Sequence, residues 1–151
     1  MQNLLIIEDN LIYSHFLVNS ICKELNNIRL YSIVDTGKKA LEILQKEKID
    51  IIILDLKLPD ISGIDIINYI EGNNLSQYYA SIIVLTNEID LLNQVINKKS
   101  VFTYSSKIDN INSFIDKVRE LSKEKQDISL KNSIKEKISS ELEYLGFDFS
   151  Y

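Results

Sequence analysis

The strongest constraint in this 151-residue chain is a recurring pair: a short Ile/Val-rich run, then a longer stretch with helical spacing. The runs are Leu4-Leu5-Ile6-Ile7, Leu30-Tyr31-Ser32-Ile33-Val34, Ile51-Ile52-Ile53-Leu54, Ile82-Ile83-Val84-Leu85 and, more weakly, Val101-Phe102-Thr103-Tyr104. Unalternated apolar runs of this length suit strands covered on both faces, the mark of a parallel sheet. Helical spacing follows in residues 11–25 (Leu11, Phe16, Val18, Ile21, Leu25) and 37–47 (Ala40, Leu41, Leu44). It recurs at Ile64, Ile66, Ile67 and Ile70, at Leu91, Leu92, Val95 and Ile96, and at Ile111, Phe114, Ile115, Val118 and Leu121. Five such alternations predict a doubly wound α/β domain over residues 1–122, a five-stranded parallel sheet with helices on both faces. Right-handed crossovers then place any ligand site at the carboxyl ends of the strands.

Residues 123–131 are polar and charged, and read as a linker or a helix continuation. Leu130, Ile134, Ile138, Leu142 and Leu145 then recur every three or four residues, with Lys and Glu between. This predicts one more amphipathic helix within residues 132–151, with Gly146 as its stop. Phe147, Phe149 and Tyr151 crowd the last five positions, so the segment reads as the start of a truncated further domain.

Composition narrows the function. Twenty-two acids against 17 bases give a net charge of −5, so the bulk of the chain is no nucleic-acid grip. A single cysteine, Cys22, excludes a disulfide scaffold and reads as a small core residue. A single histidine, His15, excludes a multi-histidine metal centre and is expected as a surface or boundary residue of the first helix, not a phosphoryl carrier. The opening MQNLLIIEDN is no signal peptide and no apolar span reaches membrane length, so a soluble cytoplasmic protein is expected.

The residues just past each strand carry the chemistry. Glu8 and Asp9 follow the first run, Asp55 ends the third, Thr86 follows the fourth, and Lys107 follows the fifth. Parallel strands would bring all of them to one rim, where three close carboxylates repel unless a cation intervenes. Mg²⁺, with its preference for oxygen ligands and a phosphoryl group, resolves the repulsion. Asp55 is then placed as a nucleophile toward phosphorus, needing no general base because a carboxylate is already ionised. Lys107 and Thr86 can meet phosphoryl oxygens. Leu58-Pro59-Asp60-Ile61-Ser62-Gly63 reads as a rigid turn shaping the loop. Each residue alone has a plainer reading: a solvated loop acid, a helix-starting pair, a surface lysine. Their joint placement at successive strand ends argues for function.

These blocks resemble a family. Ile6 to Asn10, Ile53 to Gly63, Val84-Leu85-Thr86 and Tyr104-Ser105-Ser106-Lys107 are together similar to the receiver domain of two-component response regulators, over residues 2–121. The resemblance implies a flavodoxin-like domain phosphorylated by a sensor histidine kinase, a phosphoacceptor regulator rather than a turnover enzyme. By matching position, Asp55 would be the phosphoacceptor and Asp9 a direct Mg²⁺ ligand. Glu8 would hold a metal-bound water, and the Lys57 backbone carbonyl would ligate the metal. Thr86 and Lys107 would bind the phosphoryl group, with Thr86 and Tyr104 as the switch pair. Homodimerisation through the face of the fourth helix, fifth strand and fifth helix is expected from the family, with Lys98, Lys99, Asp116 and Arg119 as candidates. Lys57 and Glu88 flank the pocket and are expected to tune phosphoryl lifetime.

Two departures bear on the Lys107 loop. Ile108 stands where the family usually has a proline after the lysine, and a non-proline cis bond costs about 2.5–4 kcal/mol, so the bond can be trans with the lysine slightly displaced, and the sequence leaves cis or trans open. Ser100-Val101 replaces the usual Gly-Ala. The tail, residues 134–147, resembles the opening helix of DNA-binding output domains of sporulation-type and glutamine-responsive regulators, which implies transcriptional control through a missing C-terminal domain. An extending or dimerising helix is the other reading. A stand-alone phosphorelay or interaction receiver, and a pseudo-receiver, are alternatives for the whole chain. A haloacid-dehalogenase-type phosphohydrolase would need an acid two positions after Asp55, where Lys57 stands.

Overall fold

The computed structural model describes residues 1–75, 80–107 and 109–146. Five strands, β1 (Gln2–Ile7), β2 (Ile28–Val34), β3 (Ile51–Asp55), β4 (Ser81–Leu85) and β5 (Val101–Ser105), form one all-parallel sheet in the order β2-β1-β3-β4-β5. Between and after them lie α1 (Leu11–Glu24), α2 (Gly37–Lys46), α3 (Gly63–Gly72), α4 (Ile89–Asn93) and α5 (Ile111–Tyr144). This is the doubly wound five-stranded architecture the runs predict, and the flavodoxin-like one the resemblance implies.

Why the runs are apolar throughout is plain along β1. Leu4 and Ile6 enter one core with Leu17 and Ile21 of α1 and Phe114 and Val118 of α5. Leu5 and Ile7 enter the other, with Ala40, Leu44, Ile66, Ile70 and Val95. Successive side chains point to opposite faces, and both faces are covered.

Polar residues start the helices. Asn10 Oδ1 accepts from Tyr13 N at 3.0 Å, Thr36 Oγ1 from Lys39 N at 3.2 Å, and Asn110 Oδ1 from Asn112 N at 2.7 Å. Ser62 and Asp65 make a reciprocal capping box at the start of α3.

Three expectations change. On α1 the buried stripe is Ser14, Leu17 and Ile21, while Leu11 and Phe16 are half exposed. Cys22 is exposed, not a core residue, because one step past Ile21 turns it about 100° off that stripe. The fourth helix is brief: α4 ends at Asn93, and Val95 N bonds to Leu92 O in a tighter turn that still buries Val95.

Residues 123–131 are helix, part of an unbroken α5 of 34 residues. No Gly or Pro interrupts residues 111–145, so nothing stops the helix until Gly146, whose φ of +94° suits glycine. Phe147, Phe149, Tyr151 and the bond to Ile108 lie outside the described residues. Among the described residues no helix is long and apolar enough to cross a membrane.

Gly63 is where two segments touch. A Cβ there would sit 2.6 Å from Asp55 O and 2.7 Å from Leu56 Cα, both backbone and unable to yield cheaply. Gly72 has nothing within 4 Å of the same position. Gly63→Ala is expected to lower stability by about 1–3 kcal/mol in urea unfolding. Gly72→Ala is expected to leave it unchanged or raise it by up to about 1 kcal/mol. Equal effects from both would refute the close approach.

Candidate functional site: an acidic pocket at the strand ends

The site follows from the sheet order. β1 and β3 are central neighbours, paired Ile7 to Leu54, so the next residues, Glu8 and Asp55, emerge side by side. The chain leaves β1 and β3 toward opposite flanks of the sheet, and this switch point opens a crevice at their carboxyl ends. Glu8, Asp9 and Asp55 each bring one carboxylate oxygen within 4.8 Å of the others. Glu8 and Asp55 are buried and Asp9 is exposed.

Lys107 reaches into this group from the loop after β5. Its Nζ lies 2.9 Å from Asp55 Oδ2, 3.0 Å from Glu8 Oε1 and 2.9 Å from Glu8 Oε2. Asp55 Oδ1 accepts from Lys57 N at 3.0 Å, and Glu8 Oε1 accepts from Asn10 N at 3.2 Å. Glu8 Oε2, though beside the ammonium, accepts no hydrogen bond. Burial pushes the Glu8 carboxyl up to about 7; the Lys107 hydrogen bond opposes this and the Asp55 charge adds to it. For Lys107, burial works against the charged form, but its bonds to Glu8 and Asp55 outweigh it and hold the ammonium above its ordinary value.

These donors fit a hard divalent cation. All are oxygens, three carboxylates face one ammonium, and one buried carboxylate oxygen is left without a hydrogen bond.

Thr86, buried at the end of β4, accepts from Glu88 N at 2.9 Å through its hydroxyl oxygen, leaving its O–H to donate. Tyr104 is 44% exposed. Its carbonyl accepts from Lys117 Nζ at 2.8 Å, and that ammonium lies 5.5 Å from the ring centre. Thr86 and Tyr104 both line a hollow of about 670 Å³ walled by Ile89, Leu92 and Ile96. Two residues past Asp55 and Thr86, Lys57 Nζ and Glu88 Oε1 pair at 3.7 Å, both exposed. Among the surface candidates, Asp116 and Arg119 pair with each other at 2.6 Å, and Lys98 and Lys99 are exposed. His15 is exposed on α1.

Three supporting residues were not singled out from sequence. Asn87 Oδ1 accepts from Ser106 Oγ at 2.7 Å and from Lys107 N at 3.0 Å, pinning the loop that carries the lysine. Asp109 Oδ2 accepts from Ser106 N at 3.0 Å and closes the same loop. Asp60 reaches from the β3–α3 loop to the start of α2, accepting from Gly37 N at 2.8 Å and Lys38 N at 2.9 Å. The only sequence signal for Asn87 and Asp109 is a short polar side chain next to a strand end; Asp60 gives none for a partner so distant in sequence.

The two backbone N–H groups hold the Asp60 carboxyl down at about 2. A depressed carboxylate contributes stability above its unfolded value, about 4, and loses it as pH falls through the folded one. Asp60→Ala should therefore melt a few degrees below the parent near neutral pH, with the gap closing as pH approaches about 2. A gap that persists in acid would show that the carboxylate is not what holds α2.

Comparison with known proteins accords with this geometry. Residues 4–119 match the family model of the response regulator receiver domain. An 82-residue stretch is 34% identical to Stress response regulator protein 1 of Candida tropicalis, covering 54% of this chain and 31% of that protein. The chain thus spans about a third of that curated relative. The signal receiver domain of a Luxo repressor protein from Vibrio parahaemolyticus superposes with a TM-score of 0.74 at 26% identity, over 85% of this chain and 95% of that one. Response regulator TrrA of Thermotoga maritima, solved with Mg²⁺ and BeF, gives 0.68 at 23% identity, over 80% of this chain and 99% of that one. A sheet of this order, an acidic crevice at its switch point and a family match across 4–119 place the chain in the response regulator receiver family, the phosphoacceptor modules of two-component signalling.

Proposed function

We propose that this chain receives a phosphoryl group on Asp55 from a phosphohistidine of a sensor kinase and transmits it as a change of surface. The observation that carries the reading is Lys107 bridging Asp55 and Glu8 beside Asp9. An Asp55 oxygen attacks phosphorus, a P–O bond forms as the P–N bond breaks, and the electron pair returns to the imidazole ring. Lys107 sits where it can follow one oxygen of the transferred group, and Thr86 can donate its O–H to another. Glu8, Asp9, Asp55 and the Lys57 carbonyl would hold Mg²⁺. When bound, that ion supplies positive charge against the phosphoryl oxygens.

Phosphorylation adds up to two charges and strong acceptors beside Thr86. Movement of Thr86 toward them enlarges the hollow it shares with Tyr104, and the ring can turn inward. That repacks the surface between α4, β5 and α5 by shifting a population between two packings, not by making a new fold. The same surface, with Lys98 and Lys99, is the proposed homodimer face. Regulation of transcription through a DNA-binding output belongs to this proposal, as does a cytoplasmic location. The chain is a regulator that is modified and reset rather than an enzyme with turnover.

Incubation with a small phosphodonor and Mg²⁺ should add one phosphoryl mass to the intact chain, and Asp55→Ala should add none. No gain in the parent would leave the domain as an interaction module without phosphorylation. Asp9→Asn should weaken Mg²⁺ binding by about tenfold or more in calorimetry. Thr86→Ala should still gain the mass while the Tyr104 ring resonances no longer shift; a full shift in that variant would refute the switch pair.

A further inference from the structure

The two halves of α5 present apolar residues to different sides. Phe114, Ile115, Val118 and Leu121 are buried against the sheet. Beyond Ser122 the pattern rotates: Leu130, Ile134, Ile138 and Leu145 are 61%, 49%, 50% and 67% exposed, and Leu142 is partly exposed. At about 100° per residue these five occupy a sector roughly opposite the packed face. The side that continues the packed face is polar instead. Gln126, Ser129, Asn132, Ser133 and Glu136, with Ile128 and Leu130 among them, line a cleft of about 920 Å³ beneath the strand starts. Were the tail built to fold against its own domain, apolar residues would continue along that side. From Ile134 onward the stripe thus lies off this cleft, on the side away from the receiver.

The geometry points to a second copy of this chain as its occupant, with the two tails paired antiparallel. Within the stripe, lysines come first and the flanking acid last: Lys131, Lys135 and Lys137, then Glu141. Antiparallel pairing centred near residue 139 sets Ile138 against Leu142 of the second copy and Ile134 against its Leu145. Lys137 then lies beside Glu141 of the second copy, twice by symmetry. A parallel pairing would set the lysine-rich stretch of one copy beside that of the other, which repels. A membrane surface is a poorer occupant, since Glu and Lys are mixed on the polar sides. The paired segment is shorter than the 20–30 residues per side of a standard interface, so the association is weak and concentration-dependent.

Sedimentation velocity of the full chain over a wide concentration range tests this. With phosphodonor withheld, so that the α4–β5–α5 surface is not repacked, the parent should move from monomer to dimer, and Ile134→Glu with Ile138→Glu should remain monomeric with an unchanged melting temperature, both side chains being half exposed. Lys137→Glu should weaken the dimer several-fold, and adding Glu141→Lys should restore it. A parent that stays monomeric throughout overturns the proposal, as does an Ile134→Glu, Ile138→Glu variant that associates as strongly as the parent. Failure of the charge swap to rescue would overturn the antiparallel pairing.

Discussion

The rest of the structure depends on holding two buried carboxylates beside one ammonium. Taking each ion out of water costs several kcal/mol, and two adjacent acids repel besides. The chain accepts this because the register of β1 with β3 gives Glu8 and Asp55 nowhere else to go. Lys107 offsets part of it, and its position is in turn fixed by Asn87 and Asp109 across the β4 and β5 ends. One lysine among three acids leaves the pocket short of positive charge. A site so arranged is receptive to a further cation, and then to the anionic group that cation attracts.

The same residues show what can be read without coordinates and what cannot. A strand buried on both faces needs apolar residues at every position, so the runs were legible, and with them the sheet, its rim and the acids on that rim. The α1 face was not. Leu11 and Phe16 lie at spacings that fit a buried stripe as well as Ser14 does, and only the position of the sheet decides that the small serine lies against it. Cys22 followed from the same ambiguity. Asp60 was unreadable for another reason: its partners, the N–H groups of Gly37 and Lys38, are 23 and 22 residues away in sequence and carry no side-chain signature. The α5 extension was half legible, since the absence of Gly and Pro allows a continuous helix without requiring one.

What holds Tyr104 outward is slight. A lysine over an exposed aromatic ring contributes about 0.5–1 kcal/mol, and the Lys117 bond to the Tyr104 carbonyl does not depend on where the ring points. Against this stands a hollow lined by Ile89, Leu92 and Ile96, in which the ring would bury apolar surface. In the proposed switch, two packings that differ by little can be exchanged by a group that binds one of them only modestly better. Lys117 also belongs to α5, so the residue that steadies the ring is seated on the helix that leaves the domain.

That helix gives the domain a long reach. From Ser122 to Tyr144 it rises about 33 Å at 1.5 Å per residue, without a Gly or Pro to bend it. A network of short bonds secures its root: Asn27 Nδ2 to Ser122 Oγ at 2.7 Å, and Ser122 Oγ to Gln2 Oε1 at 2.7 Å. The root is thus tied to the amino-terminal edge of the sheet while the Tyr104 contact lies near the carboxyl edge, so the helix spans both ends of the domain. A rigid rod held at two points transmits a tilt at one of them to its tip with the lever of its full length. Lys125 Nζ, one turn past Ser122, bonds to Ser81 Oγ at 3.2 Å, so the hold on the domain's base continues into the first turn of the extension.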